Sequence, residues 1–345
     1  MKRRLENILV TGGAGFIGSN FIHYVFKDIS FEGKIVNIDK LTYAGNLENL
    51  VEIENKYGVE RYFFEKADIC DFDDIKRMFE KYDIDTVVNF AAESHVDRSI
   101  FGPKDFVQSN IMGTFNLLEV SRECWRNKKK KEILFHHIST DEVYGSIEKG
   151  SFKETDPLMP SSPYSASKSG ADRLAYSYYV TYNLPVIVTR CSNNYGPFQY
   201  PEKLIPLFVT NAIENKKLPI YGDGKNIRDW IYVMDHCDAI DFIMNNGADG
   251  ETYNIGGKNE RNNLEITELI LKGLEKPKKL MTYVKDRPGH DRRYSLDCAK
   301  LSQLGWNPLY FFDEAMTLTI EWYKNNREWW EKIKSGEYLE YYKDH

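Results

Sequence analysis

The chain has 345 residues, of which 42% are hydrophobic and 28% are charged, with only 23 Gly and 12 Pro. This composition excludes a disordered or collagen-like protein, and at ~150 residues per domain the length predicts two domains. The formal net charge of −6 argues against nucleic acid as a partner, because a surface that binds a duplex normally needs a basic excess.

Hydropathy and cysteine usage further limit the class of protein that this chain can be. No apolar run approaches the ~20 residues that a membrane-spanning helix needs. The five cysteines are scattered along the chain and lack the spacing of metal ligands. This pattern is typical of thiols in a reducing compartment. We therefore expect a cytoplasmic protein that does not associate with a membrane and holds no metal.

The first half of the chain alternates short apolar runs with amphipathic stretches. In chain order, the runs predict strands at 7–10, 34–38, 61–65, 86–90 and 133–138, and the stretches between them predict helices at 17–26, 73–82 and 103–125. Strands that alternate with helices form βαβ units with right-handed crossovers. The sequence therefore predicts an α/β fold with a doubly wound parallel sheet.

The pattern changes after about residue 184. One more strand is predicted at 185–189, and the segments beyond it are shorter and richer in Pro, Gly and Asn. Loop-rich segments of this kind tend to carry ligand contacts. We predict a first domain at 1–190 and a smaller α/β domain that binds substrate, mainly at 191–345, with later segments free to return to the first domain.

A glycine-rich turn joins the first predicted strand to the first predicted helix. Gly12, Gly15 and Gly18 give the spacing GxxGxxG, which permits a tight turn, close approach of a diphosphate and close packing of the helix. A diphosphate at that helix N-terminus would meet free N–H groups and a favourable dipole. The motif alone also fits a structural turn, but its place in the first βαβ unit predicts a dinucleotide site in a Rossmann-type domain.

Two acidic positions extend this predicted site. Asp39 ends the second strand, roughly 20 residues beyond Gly18, where an acid can bind the ribose hydroxyls and disfavour a 2′-phosphate. NAD is therefore favoured over NADP, although Lys40 weakens this preference. Asp68 and Ile69 could flank the adenine, but Asp68 fits equally well as the N-cap of the following helix.

Tyr164 and Lys168 are four residues apart in a stretch with a helical pattern at 164–183. Positions i and i+4 lie on one face of a helix. An ammonium next to a phenol stabilises the phenolate, so the tyrosine could act as a base near neutral pH. The pair follows a strand that ends near Ser139 and Thr140, which favours a catalytic role over an ordinary surface pair.

Four longer motifs carry a resemblance to a known family. They are DKLTYAGN at 39–46, AAESHVDRS at 91–99, STDEVYG at 139–145 and DRPGHD at 286–291. With the glycine turn and the Tyr-Lys pair, they resemble the extended short-chain dehydrogenase/reductase superfamily and, within it, the nucleotide-sugar 4,6-dehydratases. The resemblance extends over essentially the whole chain. It implies an NAD-dependent lyase that acts on a nucleoside-diphosphate-glucose, with dTDP-glucose as the expected substrate.

The same resemblance implies roles for the acidic pair. A dehydratase must remove the C5 proton and expel the C6 hydroxyl, which a 4-epimerase does not do. Glu142 is then the base at C5, and Asp141 is the proton donor to the leaving hydroxyl. Tyr164 deprotonates the C4 hydroxyl, supported by Thr140 and Lys168. Asp141 must stay protonated, and the strand must end before the pair, because neighbours on a strand point to opposite faces.

The resemblance also implies the residues that bind the two ligands. For the cofactor they are Gly12, Gly15, Phe16, Ile17, Gly18, Asp39, Lys40, Leu41, Thr42, Asp68, Ile69, Phe90, Ala91, Ala92, Ser109, Tyr164, Lys168 and Asn194. For the substrate they are Ser94, Thr140, Asn193, Lys203, Leu204, Pro219, Ile220, Tyr221, Arg228, Asn263, Asp286, Arg287, Pro288, Gly289 and His290. Arg228 is expected to clamp the diphosphate, because its planar fork can bind it bidentately.

The segments 104–126 and 164–183 predict an oligomer. Both carry apolar residues on more than one side, and a helix that is apolar beyond one stripe needs a second partner. Relatives pair these two helices across a dyad, so the resemblance implies a homodimer through a four-helix bundle.

Three alternatives stay open from the sequence. The same reaction could use UDP-glucose, because thymine and uracil differ by one methyl group, worth only ~1–3 kcal/mol in a pocket. A nucleotide-sugar epimerase or decarboxylase could share the scaffold, although neither has an evident use for the Asp141-Glu142 pair. A non-enzymatic NAD-binding protein should have lost some of the catalytic residues, and all of them are present.

Overall fold

The computed structural model of the chain describes residue 3 and residues 5–27, 31–286 and 291–336. The strands within these residues are, in chain order, β1 (Asn7–Thr11), β2 (Lys34–Asp39), β3 (Tyr62–Lys66), β4 (Thr86–Asn89), β5 (Leu134–Thr140), β6 (Val186–Cys191), β7 (Asn193–Tyr195), β8 (Leu218–Tyr221), β9 (Ile227–Tyr232), β10 (Thr252–Ile255), β11 (Glu260–Asn262) and β12 (Met281–Val284).

The helices of the same residues are α1 (Phe16–Lys27), α2 (Val51–Tyr57), α3 (Phe72–Tyr82), α4 (Val96–Phe101), α5 (Pro103–Phe106), α6 (Thr114–Cys124), α7 (Pro163–Tyr182), α8 (Leu204–Ile213), α9 (Val233–Asn246), α10 (Asn263–Gly273), α11 (Ala299–Leu304), α12 (Phe312–Asn325) and α13 (Arg327–Ser335). A π-helical segment, Val107–Gly113, joins α5 to α6, and short 3₁₀ turns occur at Leu47–Leu50, Lys130–Glu132, Asp141–Tyr144 and Lys278–Leu280. None of the helices in the described part of the chain has the length and apolar character needed to cross a membrane.

One parallel sheet organises the first part of the molecule. Among the described residues it has seven strands, in the order β10-β6-β5-β4-β1-β2-β3. The strand order reverses between β1 and β4, which creates a crevice at the carboxyl ends of these strands. The structure therefore confirms the predicted Rossmann-type, doubly wound α/β fold.

Helices cover both faces of this sheet. Neighbouring strand residues point to opposite faces, so Val10 packs with one layer and Leu9 with the other. The first layer contains α1 and α9, and the second contains α3, α6 and α7. Strands buried on both faces tend to be continuously apolar, as β1 is at Ile8, Leu9 and Val10, but the central strand β5 also buries His136 and His137.

The later part of the chain forms smaller sheets next to the crevice. β7 follows β6 after one residue and belongs to a three-stranded sheet ordered β11-β9-β7, while β8 pairs with β12. β10, however, returns to the large sheet and pairs with β6, the kind of return that the sequence left possible. The division at residue 190 itself stays a prediction.

The predicted helix at 103–125 differs in one respect from the observed one. Its middle is π-helical rather than α-helical, from Val107 to Gly113. Gly113 is packed tightly there, since an added Cβ would lie 2.3 Å from Ile69 Cδ1. Within the segment, the buried Asn110 donates to Ser167 Oγ at 2.8 Å and to the Glu93 carbonyl at 3.1 Å. These long-range contacts have no signature in a local hydrophobic pattern.

Candidate active site

The glycine turn and α1 form one end of the site. Gly12 has φ +68°, and an added Cβ would lie 2.8 Å from Ala91 Cα, so only glycine fits there. An added Cβ at Gly18 would lie 2.4 Å from the Gly12 carbonyl oxygen, so the turn and helix pack closely. At Gly15, among the described residues, an added Cβ would meet only that oxygen, at 3.2 Å. The open side of Gly15 and the N-terminus of α1 thus form a cradle that fits a diphosphate.

The two predicted acids of the dinucleotide site accept hydrogen bonds from backbone N–H groups. Asp39 accepts hydrogen bonds from Ala14 N at 3.0 Å and Leu41 N at 2.8 Å. Asp68 accepts from Cys70 N and forms an ion pair with Lys40, Nζ to Oδ2 at 2.7 Å. Both acids lie at the carboxyl edge of the sheet, as a ribose and adenine site requires.

The N-cap alternative for Asp68 is wrong. The cap of α3 is Asp71, whose Oδ1 accepts from Asp74 N at 3.0 Å. Asp68 therefore keeps its place at the cavity as a candidate adenine-side residue.

The acidic pair follows β5 on a turn. The strand ends at Thr140, and Asp141–Tyr144 continues as a 3₁₀ turn. Thr140 Oγ1 donates to Asp141 Oδ1 at 3.2 Å and accepts from Glu142 N at 3.3 Å. Because the strand has ended, Asp141 and Glu142 are not forced to opposite faces, and both line one cavity.

The two carboxyl groups of this pair differ in environment. Asp141 is 3% exposed, whereas Glu142 is only partly buried. Burial, and then the charge of Glu142, raise the pKa of Asp141 well above its ordinary value. The sequence predicted this direction. A protonated acid and a neighbouring carboxylate can serve as general acid and general base.

Tyr164 lies in the first turn of α7. Ser162 and Ser165 form a capping box, and Pro163 occupies the first helical position, so the sequence itself starts the helix there. Tyr164 is buried, and its phenol lies near the Thr140 hydroxyl. These contacts place its phenol beside the acidic turn.

Lys168 follows Tyr164 one turn later but contacts a different group. Its Nζ donates to the Ile138 carbonyl at 2.6 Å, and burial lowers the pKa of Lys168 to about 8. Burial, and then the charge of Glu142, raise the pKa of Tyr164 well above its ordinary value. The expected lowering of the tyrosine pKa by Lys168 is therefore absent from this arrangement of the described residues. For Tyr164 to act as a base, a substrate hydroxyl that contacts both Tyr164 and Lys168 would have to offset the effect of burial on the pKa of Tyr164.

One cavity joins the dinucleotide cradle to the acidic turn, Asp141–Tyr144, which is the acid–base turn of the predicted reaction. All five predicted catalytic residues line it, namely Thr140, Asp141, Glu142, Tyr164 and Lys168. The predicted cofactor residues that line it are Gly12, Gly15, Phe16, Ile17, Gly18, Asp39, Lys40, Thr42, Asp68, Ile69, Phe90, Ala91, Ala92, Ser109, Tyr164, Lys168 and Asn194. Leu41 does not line it, and only its backbone N–H approaches the site, through Asp39.

The predicted substrate residues fall into two groups. Ser94, Asn193 and Lys203 line the cavity with Thr140, and Lys203 Nζ donates to the Ser94 carbonyl at 3.2 Å. Other predicted residues lie outside the cavity as the described residues define it, namely Leu204, Pro219, Ile220, Tyr221, Arg228, Asn263 and Asp286. Arg287, Pro288, Gly289 and His290 lie outside the described residues.

Arg228 lies close to the acidic turn. Its guanidinium donates to the carbonyls of Ile227 at 2.7 Å and Asp291 at 2.9 Å. Its Cζ lies 4.2 Å from the ring centroid of Tyr294, and its charge partly offsets the raised pKa of Asp141. A cation in this place can balance negative charge next to the turn.

Several cavity residues escaped the sequence prediction. They include the polar and ionisable residues Tyr43, Glu93, Gln199, Tyr200 and Glu202. Tyr43 and Glu93 lie inside motifs that carried the family resemblance, and Glu202 precedes Lys203. Their position next to predicted site residues was the signal that could have identified them. Burial raises the pKa of both Glu93 and Glu202.

Comparison with known proteins agrees with this geometry. The family model described as GDP-mannose 4,6 dehydratase matches residues 9–319. The dTDP-glucose 4,6-dehydratase of Salmonella typhimurium is 52% identical, with 96% of each chain covered. Among solved structures, the dTDP-glucose 4,6-dehydratase of Bacillus anthracis in complex with NAD has a TM-score of 0.87 and 49% identity, covering 95% of this chain and 100% of that one.

A second solved structure has the same name. The dTDP-glucose 4,6-dehydratase of Streptomyces venezuelae, with NAD and dTDP bound, has a TM-score of 0.89 and 45% identity, covering 95% of this chain and 100% of that one. Similarity of this extent covers the dinucleotide cradle, the acidic turn and the smaller sheets together. The chain therefore belongs to the nucleotide-sugar 4,6-dehydratase family and, within it, groups with the dTDP-glucose 4,6-dehydratases.

Proposed function

We propose that this protein converts dTDP-glucose to dTDP-4-keto-6-deoxyglucose and water, with NAD as its cofactor. The observation that carries the proposal is the Asp141-Glu142 pair on a turn that enters the cavity of Tyr164 and Lys168. The names of the relatives support the substrate, and the NAD in two solved relatives supports the cofactor.

The residues of the cradle fit NAD. The open side of Gly15 would face the diphosphate, Asp39 would lie near the ribose, and Asp68 with Ile69 would lie near the adenine. When bound, NAD takes up the two electrons released at C4 of the sugar and returns them at C6. Because the cofactor ends as it began, we expect it to stay bound through the whole reaction.

Tyr164 acts at C4 of the glucose. Its phenolate takes the proton of the C4 hydroxyl, while Thr140 and Lys168 hold the sugar oxygen by hydrogen bonds. The positions of Thr140, Tyr164 and Lys168 in the same cavity support this assignment. A ketone at C4 then makes the C5 proton acidic.

Glu142 and Asp141 remove water across C5 and C6. Glu142 takes the C5 proton as a general base, and Asp141 gives a proton to the C6 hydroxyl, which leaves as water. The raised pKa of Asp141 supports its role as the acid, since an ionised carboxyl has no proton to donate. An epimerase returns its electrons to C4 and needs neither group.

The first experiment uses the purified protein with no added nicotinamide, incubated separately with dTDP-glucose and UDP-glucose. Mass spectrometry should show loss of one water from dTDP-glucose, with no nicotinamide consumed. Faster reaction of UDP-glucose would show that the protein prefers uracil to thymine as the base of its substrate. Unchanged mass with conversion to the galactose isomer would identify an epimerase instead.

We also propose that the protein is a homodimer. The helical region from α4 to α6 exposes Phe101, Val107 and Met112, at 65%, 49% and 43%, and α7 exposes Val180 at 62%. Helix α4 and the π-helical segment both pack on α7, so these apolar side chains can form one face. Two such faces would make the four-helix bundle. A cytoplasmic location remains the expectation from cysteine usage.

Replacing Met112 and Val180 together by Lys should convert the dimer to a monomer, because charges cannot be buried unpaired in an apolar interface. Sedimentation equilibrium measures the mass directly. The matched control is Leu309→Lys, which changes a residue 72% exposed elsewhere on the surface and should leave the mass unchanged. A wild-type protein with the mass of one chain would contradict the proposal.

A further inference from the structure

A buried ion pair lies next to the acid–base turn, outside the cavity. Arg190, in β6, and Asp172, in α7, are each 0% exposed. The pair is bidentate, with Nε to Oδ2 at 2.8 Å and Nη2 to Oδ1 at 3.0 Å. A buried ion pair adds little stability compared with well-packed apolar side chains. Stability alone therefore does not explain why these charges lie there.

The pair connects the two parts of the catalytic machinery. Asp172 is one helical turn beyond Lys168 and two turns beyond Tyr164, on the same face of α7. The remaining nitrogen of Arg190, Nη1, donates to Tyr144 Oη at 2.6 Å. Tyr144 is the last residue of the 3₁₀ turn that carries Asp141. One guanidinium thus bridges the helix of the tyrosine base and the turn of the acidic pair.

Tyr144 is held on its other sides as well. Its hydroxyl donates to Asn254 Oδ1 at 2.9 Å, and its ring stacks on Phe152 with centroids 4.9 Å apart. Asn254 Nδ2 in turn donates to the carbonyls of Phe152 at 2.9 Å and Asp297 at 3.2 Å. Burial raises the pKa of Tyr144 to about 12, so its phenol keeps the proton it donates to Asn254. The hydroxyl has one acceptor and one donor partner in fixed directions.

We infer that Arg190 is a positioning residue which, through Asp172 and Tyr144, sets the distance between the acid–base turn and α7 that water elimination requires. This inference rests on the proposed function. Oxidation at C4 uses groups on α7 and Thr140, whereas elimination also needs the carboxyl groups of the turn at C5 and C6. A misplacement of about 1 Å can reduce a rate ~100-fold. A loosened turn therefore slows elimination more than oxidation.

Tyr144→Phe tests this inference with the smallest change, because it removes one hydroxyl and keeps the stacked ring. Arg190 itself is left in place, since its removal would leave Asp172 as an uncompensated buried charge. The holoenzyme is mixed with dTDP-glucose, quenched at set times and analysed by mass spectrometry. The 4-keto sugar nucleotide, two hydrogens lighter than the substrate, should accumulate. Water loss should slow roughly 10- to 100-fold, with KM and the rate of C4 oxidation within about twofold of wild type.

The matched control is Tyr24→Phe in α1. Tyr24 Oη donates to Asp238 Oδ1 at 2.6 Å, so this variant loses a hydrogen bond of the same length away from the cavity. It should give wild-type kinetics. Equal slowing of both steps in Tyr144→Phe, no slowing at all, or the same split in Tyr24→Phe would each overturn the inference.

The wild-type protein separates this inference from the proposed function. Water loss from dTDP-glucose by wild type establishes the reaction, and the split in Tyr144→Phe then decides the role of Arg190. Absence of water loss in wild type would overturn the proposed function and, with it, the inference.

Discussion

Glu142→Gln should stop the loss of water from dTDP-glucose while C4 oxidation continues. The amide keeps the size of the side chain but cannot take the C5 proton. A general base typically contributes 10²- to 10⁴-fold, so we expect the rate of water loss to fall by about that factor. The fold should persist for two reasons. Glu142 is only partly buried, and its contact with Thr140 is made by the backbone N–H, which the substitution keeps.

Rapid-quench mass spectrometry in D₂O measures both steps of this prediction. The variant should accumulate the 4-keto sugar nucleotide and should not exchange its C5 proton for deuterium. Tyr164→Phe is the comparison, because it should stop the reaction before any keto species forms. Water elimination at the wild-type rate in Glu142→Gln would show that another group is the C5 base.

Asp141→Asn should also lose activity, but it should make the protein more stable. Asp141 is 3% exposed, and its Oδ2 has no hydrogen-bond partner among the described residues. Asn cannot supply the proton that the C6 hydroxyl needs, so we expect water loss to slow by about 10²- to 10⁴-fold. The amide also carries no charge beside Glu142, whatever the pH.

The pH dependence of this stability difference follows from the raised pKa of Asp141. Above the ordinary carboxyl pKa of about 3.9, the unfolded chain has lost this proton, while the native protein still holds it. The unfolded state then binds fewer protons, so the free energy of unfolding of wild type falls as the pH rises, by up to ~1.4 kcal/mol per pH unit from this group. This decrease in the free energy of unfolding ends once the pH reaches the pKa of Asp141 in the native protein. The Asn variant does not show the decrease, because its side chain does not titrate.

Urea unfolding of both proteins at several pH values measures this difference. The stability advantage of Asp141→Asn should be smallest near pH 4 and should grow towards neutral pH. The single variant Glu142→Gln should show part of the same effect, because it removes the neighbouring charge. A constant difference across this range would contradict a native-state proton on Asp141.

Local patterns in the sequence determined much of the fold. The alternation of apolar runs predicted β1 to β6 close to their observed bounds, because strand and helix periodicities differ over a few residues. The GxxGxxG spacing and the i, i+4 spacing of Tyr164 and Lys168 are equally local. The motifs at 39–46, 91–99 and 139–145 then added six candidate cofactor residues and the candidate catalytic residues Thr140, Asp141 and Glu142. With Tyr164 and Lys168, all five candidate catalytic residues line one cavity.

The tertiary structure decided what depends on contacts between distant segments. Lys168 donates to Ile138 rather than acting on Tyr164, Asn110 holds a π-helical segment, and β10 joins the large sheet. None of these follows from a nearby pattern, because each depends on which polar groups become buried together. Buried donors and acceptors must find partners wherever the folded chain places them, and hydrophobic periodicity does not encode those partners.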